Sequence, residues 1–324
     1  MNRILLIQTA FLGDAVLATA LLEELKIRYP QAQLDYLIRK GNESLFDGNP
    51  RIRNLLIWDK KAGKYKNLFK LLKQIRAERY DMVINIQRFA ATGFLTGFSG
   101  AKERVGFDKN PFSFLYTRKV KHEYRMHEVE RNLKLIEGKA ASGDGMPKLY
   151  PQKSHFEKVA PYQASPYITI APASVWFTKQ FPKEKWAEFL ETIDYPMTVI
   201  FIGAPSDYSL GEEVEALTKN EWLTYHNLCG DLKLLETAAL MKGAKMNYTN
   251  DSGPMHIASA MNAPVRAIFC STVEEFGFGP LSRNGKIIQT SEKLSCRPCG
   301  VHGQTACPEG HFNCAQTIHF TLKD

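Results

Sequence analysis

Short apolar runs alternate with amphipathic stretches along the first half of the chain. The run RILLIQ at residues 3–8 has the length of a strand, and apolar residues then recur at helical spacing over 14–28. The alternation continues with apolar runs at 33–38, 54–58 and 81–86 and with a helical period over 64–79. Strands that alternate with helices in this way predict a parallel sheet that is covered on both faces.

The same alternation restarts near Tyr167, after residues 138–166, which are rich in Gly, Pro, Ser and Lys and show no sustained period. This break predicts two α/β domains, 1–160 and 161–324, each a Rossmann-like, doubly wound sheet. In the second domain the pattern predicts strands at 167–171, 197–203, 245–249 and 264–269, and helices from Lys183, near 206–218 and 232–242, and from Pro254. Such sheets bind ligands at the carboxyl ends of their strands, so the expected site is a cleft between two facing domains.

Composition narrows the class of partner. The chain has 324 residues, and its 42 Lys and Arg against 34 Asp and Glu give a formal net charge of +8, which favours anionic partners. The basic stretches 60–79 and 118–131 lack the interleaved stacking aromatics of a nucleic-acid platform, so no nucleic acid is expected as a partner. The first residues do not resemble a secretory signal, and no apolar run approaches the ~20 residues of a membrane span, so a cytoplasmic location is expected.

The segment NYTNDSGPMHIASAMNAPVRAIF, residues 247–269, predicts a helix whose amino end follows a strand. Asn250, Asp251 and Ser252 have side chains that can cap this helix, and Gly253 lets the backbone come close to a ligand. The free N–H groups and the dipole of such an end attract phosphate, and His256 in the first turn adds a hydrogen-bonding group. Two interpretations stay open: a diphosphate seat, and a structural helix that is merely well capped.

A loop between a predicted strand and helix of the second domain carries a candidate cation. In APASVWFTKQFPKEKWAEF, residues 171–189, Thr178 and Lys179 are expected to project beside the cleft, and the lysine would face a diphosphate. The alternative is a solvated loop lysine.

A glycine and an aspartate follow the first strand, in LIQTAFLGDAVLATALLEEL at residues 6–25. Gly13 is expected to form a tight turn and Asp14 to lie at the start of the helix, facing the cleft from the first domain. A carboxylate in that place can take a proton from a bound hydroxyl. The competing interpretation is an Asp that only caps the helix.

Four of the six cysteines lie close together near the end of the chain, within residues 296–314. Their order, Cys-x2-Cys-x7-Cys-x6-Cys, suggests a structural zinc or iron site, with free thiols or a redox pair as the alternative. The predicted ligands are Cys296, Cys299, Cys307 and Cys314, with His302 and His311 as spare candidates. Cys229 and Cys270 lie in apolar strand contexts and are expected to be buried hydrophobic residues.

Three of these segments together resemble the ADP-heptose:lipopolysaccharide heptosyltransferase family, glycosyltransferase family 9. They are ILLIQTAFLGDAVLATALLEELK, FTKQFP and TNDSGPMHIASAMNAPVRAIF, and RVGF at 104–107 and HEVERNLKLI at 127–136 extend the similarity over nearly the whole chain. The resemblance implies a GT-B fold with the acceptor on the first domain and the donor mainly on the second. It also implies an inverting transfer of heptose from ADP-heptose to a sugar hydroxyl of the lipid-linked lipopolysaccharide inner core, without a catalytic metal.

Position by position, the resemblance implies a role for each matching residue. Asp14 is the general base, with Gly13 beside it in the acceptor loop, and Lys179 binds donor phosphate. Asp251, Ser252, Gly253 and His256 line the donor site, and Thr178 is a weaker candidate there.

Other functions remain to be distinguished. A glycosyltransferase with another nucleotide sugar or acceptor, a sugar-nucleotide epimerase or hydrolase, and a non-catalytic binding protein all use such a phosphate seat. A dinucleotide-dependent oxidoreductase is disfavoured, because TAFLGD lacks the three spaced glycines. Peripheral contact with the inner face of the cytoplasmic membrane is expected through basic and aromatic residues such as those of 109–125, which form a buried hairpin in the alternative interpretation.

Overall fold

The computed structural model describes residues 1–61, 63–136 and 143–323. The chain divides into two compact units, Met1–Tyr150 and Pro151–Asp324. The division comes before residue 160, where the sequence pattern had suggested it, because a helix at Lys153–Val159 packs against a helix of the second unit at Leu234–Gly243. The segment 138–166 is therefore only partly a connection, and its residues 138–142 lie outside the described part of the chain.

The first unit is a parallel six-stranded sheet in the order β3-β2-β1-β4-β5-β6. The order reverses between β1 and β4, which makes the sheet doubly wound. Its elements are β1 (Arg3–Ile7), α1 (Leu12–Leu17), α2 (Thr19–Arg28), β2 (Gln33–Arg39), β3 (Ile52–Trp58), α3 (Lys64–Glu78), β4 (Met82–Asn85), α4 (Ala90–Gly97), β5 (Glu103–Phe107), β6 (Arg118–Val120) and α5 (Glu128–Leu133).

The second unit repeats this architecture in the order β12-β11-β10-β7-β8-β9, with the reversal between β7 and β10. Its elements are α6 (Lys153–Val159), β7 (Tyr167–Ala171), α7 (Lys183–Glu191), β8 (Met197–Phe201), α8 (Tyr208–Leu217), β9 (Leu223–Asn227), α9 (Leu234–Gly243), β10 (Met246–Asn250), α10 (Gly253–Ala260), β11 (Val265–Phe269), β12 (Gly285–Gln289) and α11 (Asn313–Gln316). The prediction of two Rossmann-like sheets is confirmed.

The central strands are buried on both faces, which explains why they appear in the sequence as continuous apolar runs. Ile4, Leu5, Leu6 and Ile7 of β1 have no exposed surface. The helix predicted over 14–28 is instead two helices, α1 and α2, that meet at Ala18. The apolar period runs through this break, so the sequence pattern does not show it.

The core of the second unit includes the end of the chain. Phe320 stacks on Phe189 with ring centroids 4.5 Å apart, and Cys314 belongs to the same buried cluster. Cys229 and Cys270 are buried as predicted.

In the first unit, β6 pairs with β5 in parallel, so the buried hairpin considered for residues 109–125 is wrong. No described helix is long and apolar enough to cross a membrane.

Candidate functional site

The first group of candidate residues lies where the strand order reverses in the first unit. The chain leaves the carboxyl end of β1 through buried Gln8 and Thr9 and enters α1 at Leu12. Gly13 is the second residue of α1, so its expected role in a tight turn is wrong. Asp14 lies in the first helical turn, while Phe11 occupies the N-cap position.

Asp14 has an unusual protonation equilibrium. Burial of its carboxyl group, together with the nearby charge of Glu128, raises its pKa to about 7. Hydrogen bonds from the backbone N–H groups of Asp14 and Phe11, and then the charge of Arg131, act in the opposite direction. A carboxyl group with a pKa near neutrality can accept a proton in neutral solution.

Two charged residues of α5, Glu128 and Arg131, lie near Asp14, and the hydrophobic pattern of the sequence did not reveal this. Glu128 is buried and accepts a hydrogen bond from Asn132 Nδ2 at 3.1 Å, and Arg131 forms an ion pair with it. Arg131 Nη1 also donates to the carbonyl oxygens of Glu123 and Met126, each at 3.1 Å. In the sequence only the resemblance to a family points to this segment, because its residues lie more than a hundred positions from Asp14 in the chain.

The second group lies at the reversal point of the other sheet, after β7 and β10. Lys179 Nζ is 2.7 Å from Asp251 Oδ2, and Thr272 Oγ1 donates to the same oxygen at 2.7 Å. Both members of the ion pair are largely buried. The structure thus brings Lys179 and Asp251 into one site, and it adds Thr272, which no sequence motif had indicated.

The amino end of α10 differs from the expected capped end. Ser252 occupies the N-cap position, yet within the described part of the chain its side chain makes no capping hydrogen bond. The Asn250 amide instead donates to the carbonyl oxygens of Pro172 at 2.9 Å and Ala173 at 3.2 Å. The expected capping by these side chains is therefore wrong. The helix begins at Gly253, and the first-turn N–H groups keep the character of an anion site.

His256 and Thr178 are both less accessible than the sequence suggested. His256 is buried in the first turn of α10, with its ring centroid 6.5 Å from that of Phe278. Thr178 has no exposed surface, and its hydroxyl oxygen accepts hydrogen bonds from Ser271 Oγ at 3.0 Å and from the Gln304 N–H at 2.8 Å. Its expected projection from the loop is wrong, because the segment at 296–304 covers it.

The predicted metal ligands do not form a metal site. Within residues 1–61, 63–136 and 143–323, no group of three or more His, Cys, Asp and Glu side chains is arranged to hold a metal ion. Cys314 is buried in the apolar core, and burial raises the pKa of its thiol to about 12. Cys296 Sγ lies 4.0 Å from His311 Nε2. The cysteines Cys296, Cys299, Cys307 and Cys314 are free thiols, and the expected structural zinc or iron finds no support.

Comparison with known proteins identifies the family. The sequence profile of glycosyltransferase family 9 (heptosyltransferase) matches residues 68–308. The lipooligosaccharide heptosyltransferase 2 of Haemophilus influenzae is 28% identical over 310 residues, which cover 89% of this chain and 89% of that protein.

Solved structures show the same fold. The Escherichia coli ADP-heptose LPS heptosyltransferase II superposes with a TM-score of 0.76 at 24% identity, over 92% of this chain and 96% of that one. The E. coli heptosyltransferase WaaC, solved with ADP-2-deoxy-2-fluoro heptose, gives a TM-score of 0.71 at 19% identity, over 89% and 93% of the two chains. The GT-B fold class is therefore confirmed, and the chain belongs to glycosyltransferase family 9, the heptosyltransferases.

Proposed function

We propose that this enzyme transfers heptose, with inversion, from ADP-heptose to a sugar hydroxyl of the lipopolysaccharide inner core. The observation that carries the proposal is the grouping of Lys179 and Asp251 with the amino end of α10 where the second sheet reverses its strand order. A cation beside a helix amino end suits a nucleotide diphosphate. The names of relatives support the substrates, because one is named a lipooligosaccharide heptosyltransferase and another was solved with ADP-2-deoxy-2-fluoro heptose.

In the proposed reaction Asp14 is the general base. Its carboxylate takes the proton of the acceptor hydroxyl while the oxygen forms a bond to the anomeric carbon of the donor. The bond from that carbon to the diphosphate oxygen breaks, and ADP leaves with the electron pair. A base with a pKa of about 7 suits this step at neutral pH. Gly13 directly precedes this base in α1.

The charge that develops on the leaving diphosphate requires fixed positive partners. Lys179 and the N–H groups of Ser252 and Gly253 supply them, and Asp251 and His256 complete the lining of the donor site. Thr178 contributes less, because its hydroxyl is already engaged. This set of donors stabilises the leaving group without requiring a catalytic metal.

Release of ADP tests the proposal and separates it from its alternatives. The purified enzyme should release ADP from ADP-heptose only when a heptose-deficient lipopolysaccharide acceptor is present, and UDP- and GDP-sugars should give none. Turnover of another nucleotide sugar would support a glycosyltransferase whose donor is not ADP-heptose. Release that does not depend on acceptor would instead indicate a hydrolase or an epimerase that hydrolyses its product, with water taking the sugar.

We also propose that the enzyme works at the inner face of the bacterial cytoplasmic membrane, through a phenylalanine surface on the first unit. This surface consists of Phe69, Phe94, Phe98, Phe112 and Phe114. Neighbouring rings in it are 5.0–6.5 Å apart between centroids, for example Phe69–Phe94 at 5.7 Å and Phe112–Phe114 at 6.1 Å. Phe69, Phe98 and Phe114 are 60%, 44% and 71% exposed, which is unusual for such large apolar side chains.

The lysines beside this phenylalanine surface indicate which partner it contacts. On α3, the exposed Lys66, Lys70 and Lys73 lie three residues before, next to and four residues after Phe69. Aromatic rings bordered by lysines match the interface of a bilayer that contains anionic lipids, because the rings enter the headgroup region while the lysines meet phosphate. A lipid-linked acceptor makes such a contact useful, since it brings the enzyme to its substrate.

Replacing Phe69 and Phe114 by Ser should weaken binding to phosphatidylglycerol-containing vesicles by roughly 30-fold, because each ring contributes on the order of 1 kcal/mol of apolar burial. Sedimentation with vesicles measures this change. Trp222→Ser is the matched control, because Trp222 is 54% exposed but lies on the second unit. Transfer to a deacylated, water-soluble acceptor should remain unchanged. Equal vesicle binding by wild type and double variant would refute this surface, as would its burial in a dimer.

A further inference from the structure

Among the described residues the cysteine-rich segment shows no group arranged to hold a metal, and one part of this segment lies directly against the candidate donor site. We infer that residues 296–304, here called the bracing loop, position Lys179 for the donor diphosphate. The inference rests on the proposed function, because it concerns how the cation of that site is held. Its contacts involve two residues in particular, Gly303 and Gln304.

Gln304 makes two backbone hydrogen bonds with Thr178, the residue before Lys179 in the turn. Its N–H donates to Thr178 Oγ1 at 2.8 Å, and its carbonyl oxygen accepts from the Thr178 N–H at 3.2 Å. Ser271 adds a second pair of bonds, from its Oγ to Thr178 Oγ1 at 3.0 Å and from its N–H to the Thr178 carbonyl at 3.2 Å. Thr178 is therefore held by hydrogen bonds on its N–H, its carbonyl and its hydroxyl.

The turn that carries Lys179 has few internal hydrogen bonds to fix its conformation. It is a single 3-10 turn, Phe177–Lys179, and it follows Val175, which is 85% exposed. A turn of three residues has few internal hydrogen bonds, so its orientation depends on what packs against it. The bracing loop supplies that packing next to Lys179.

Gly303 permits the close approach. A Cβ atom built on it would lie 2.9 Å from Lys179 Cγ, 3.1 Å from Thr178 Oγ1 and 3.1 Å from Trp176 Cβ. The aliphatic part of Lys179 thus rests on the Gly303 backbone, while its Nζ is 2.7 Å from Asp251. A methyl group at this position must displace the stem of the cation.

The other end of the loop is fixed near the partner of that cation. Arg297 Nε donates to the Cys270 carbonyl at 2.7 Å, and its Nη2 donates to the Thr272 carbonyl at 2.8 Å. Thr272 is the residue whose hydroxyl binds Asp251. The loop therefore contacts the turn that carries Lys179 and the segment whose Thr272 binds Asp251, which is the arrangement expected of a positioning element.

The test uses two glycines of the same region that share a left-handed backbone. Gly303 has φ +79° and Gly310 has φ +74°, but no described heavy atom lies within 4 Å of a Cβ placed on Gly310. Ala therefore introduces similar backbone strain at both positions and a contact with Lys179 only at Gly303. We expect Gly303→Ala to raise the ADP dissociation constant and the donor KM about tenfold relative to Gly310→Ala, with a smaller change in kcat. Calorimetry with ADP and steady-state kinetics measure these effects.

A double variant separates positioning from general damage. In a Lys179→Met background, Gly303→Ala should have no further effect on ADP binding, because the ammonium group whose position it changes is gone although the apolar stem remains. Full additivity of the two substitutions, or equal ADP binding by Gly303→Ala and Gly310→Ala, would overturn the inference. If the wild type binds no ADP, the proposed function itself is refuted, whichever way the glycine variants behave. Should Gly303→Ala not fold, Thr178→Val removes the hydroxyl that binds Gln304 and is expected to weaken ADP binding in the same way.

Discussion

Asp14→Asn is expected to lower kcat for heptose transfer by about 10²–10⁴-fold, the usual contribution of a general base. Asn keeps the oxygen that accepts the N–H bond from Phe11, so the start of α1 should remain intact. ADP affinity should not change, because the proposed donor residues lie on the second unit. Asp47→Asn, an exposed position of the first unit, is the control. Retention of more than half the transfer rate by Asp14→Asn would exclude this residue as the base.

The pKa of Asp14 adds a pH dependence with a definite sign. The folded pKa of about 7 lies above the ordinary value of 3.8 for an aspartate, so ionisation of this desolvated carboxyl opposes folding. This cost is absent below about pH 4, grows between pH 4 and 7, and is complete above pH 7. Asp14→Asn should therefore be more thermostable than the wild type at pH 8 and not at pH 4, while wild-type kcat/KM should fall below pH 7. Melting curves and a pH–rate profile measure the two effects.

Lys179→Met is expected to reduce kcat/KM for the donor by about 10²–10³-fold, as the loss of one fixed partner of a developing charge does in other enzymes. Methionine retains the apolar stem that packs on Gly303 but removes the charge. Lys183→Met is the matched control, because Lys183 forms an exposed ion pair with Glu213 at 2.7 Å in the same unit.

The Lys179 variant also leaves a largely buried carboxylate without its ion-pair partner, which lowers stability. The double variant Lys179→Met/Asp251→Asn removes that carboxylate charge and should regain thermal stability without regaining donor affinity. Recovery of donor affinity together with stability would mean that Lys179 serves only to neutralise Asp251. Thermal melts and donor kinetics on the same preparations decide between the two results.

Prediction from the sequence was accurate for strands buried on both faces and weak at the edges of the sheets. The runs that form β1 and β4 are apolar apart from Arg3 and Asn85 at their ends, so their composition alone indicates burial on both faces. Three of the four edge strands of the described sheets, β6, β9 and β12, are partly exposed and carry polar residues, and the pattern did not reveal them. The apolar run at 54–58 did indicate the fourth, β3. An edge strand is set by pairing with a neighbour along one side, which a periodicity of hydrophobic residues does not record.

The sequence by itself determined the two doubly wound sheets and indicated Asp14, Lys179 and Asp251 as the candidate reactive groups. These follow from local order, since a helix that begins directly after a strand must start at the carboxyl end of the sheet. Only the tertiary structure decided what surrounds them: Glu128 near Asp14, a buried Thr178, and Gly303 against Lys179. Such contacts join positions more than a hundred residues apart, so they depend on how the chain packs in three dimensions and leave no pattern in either segment alone.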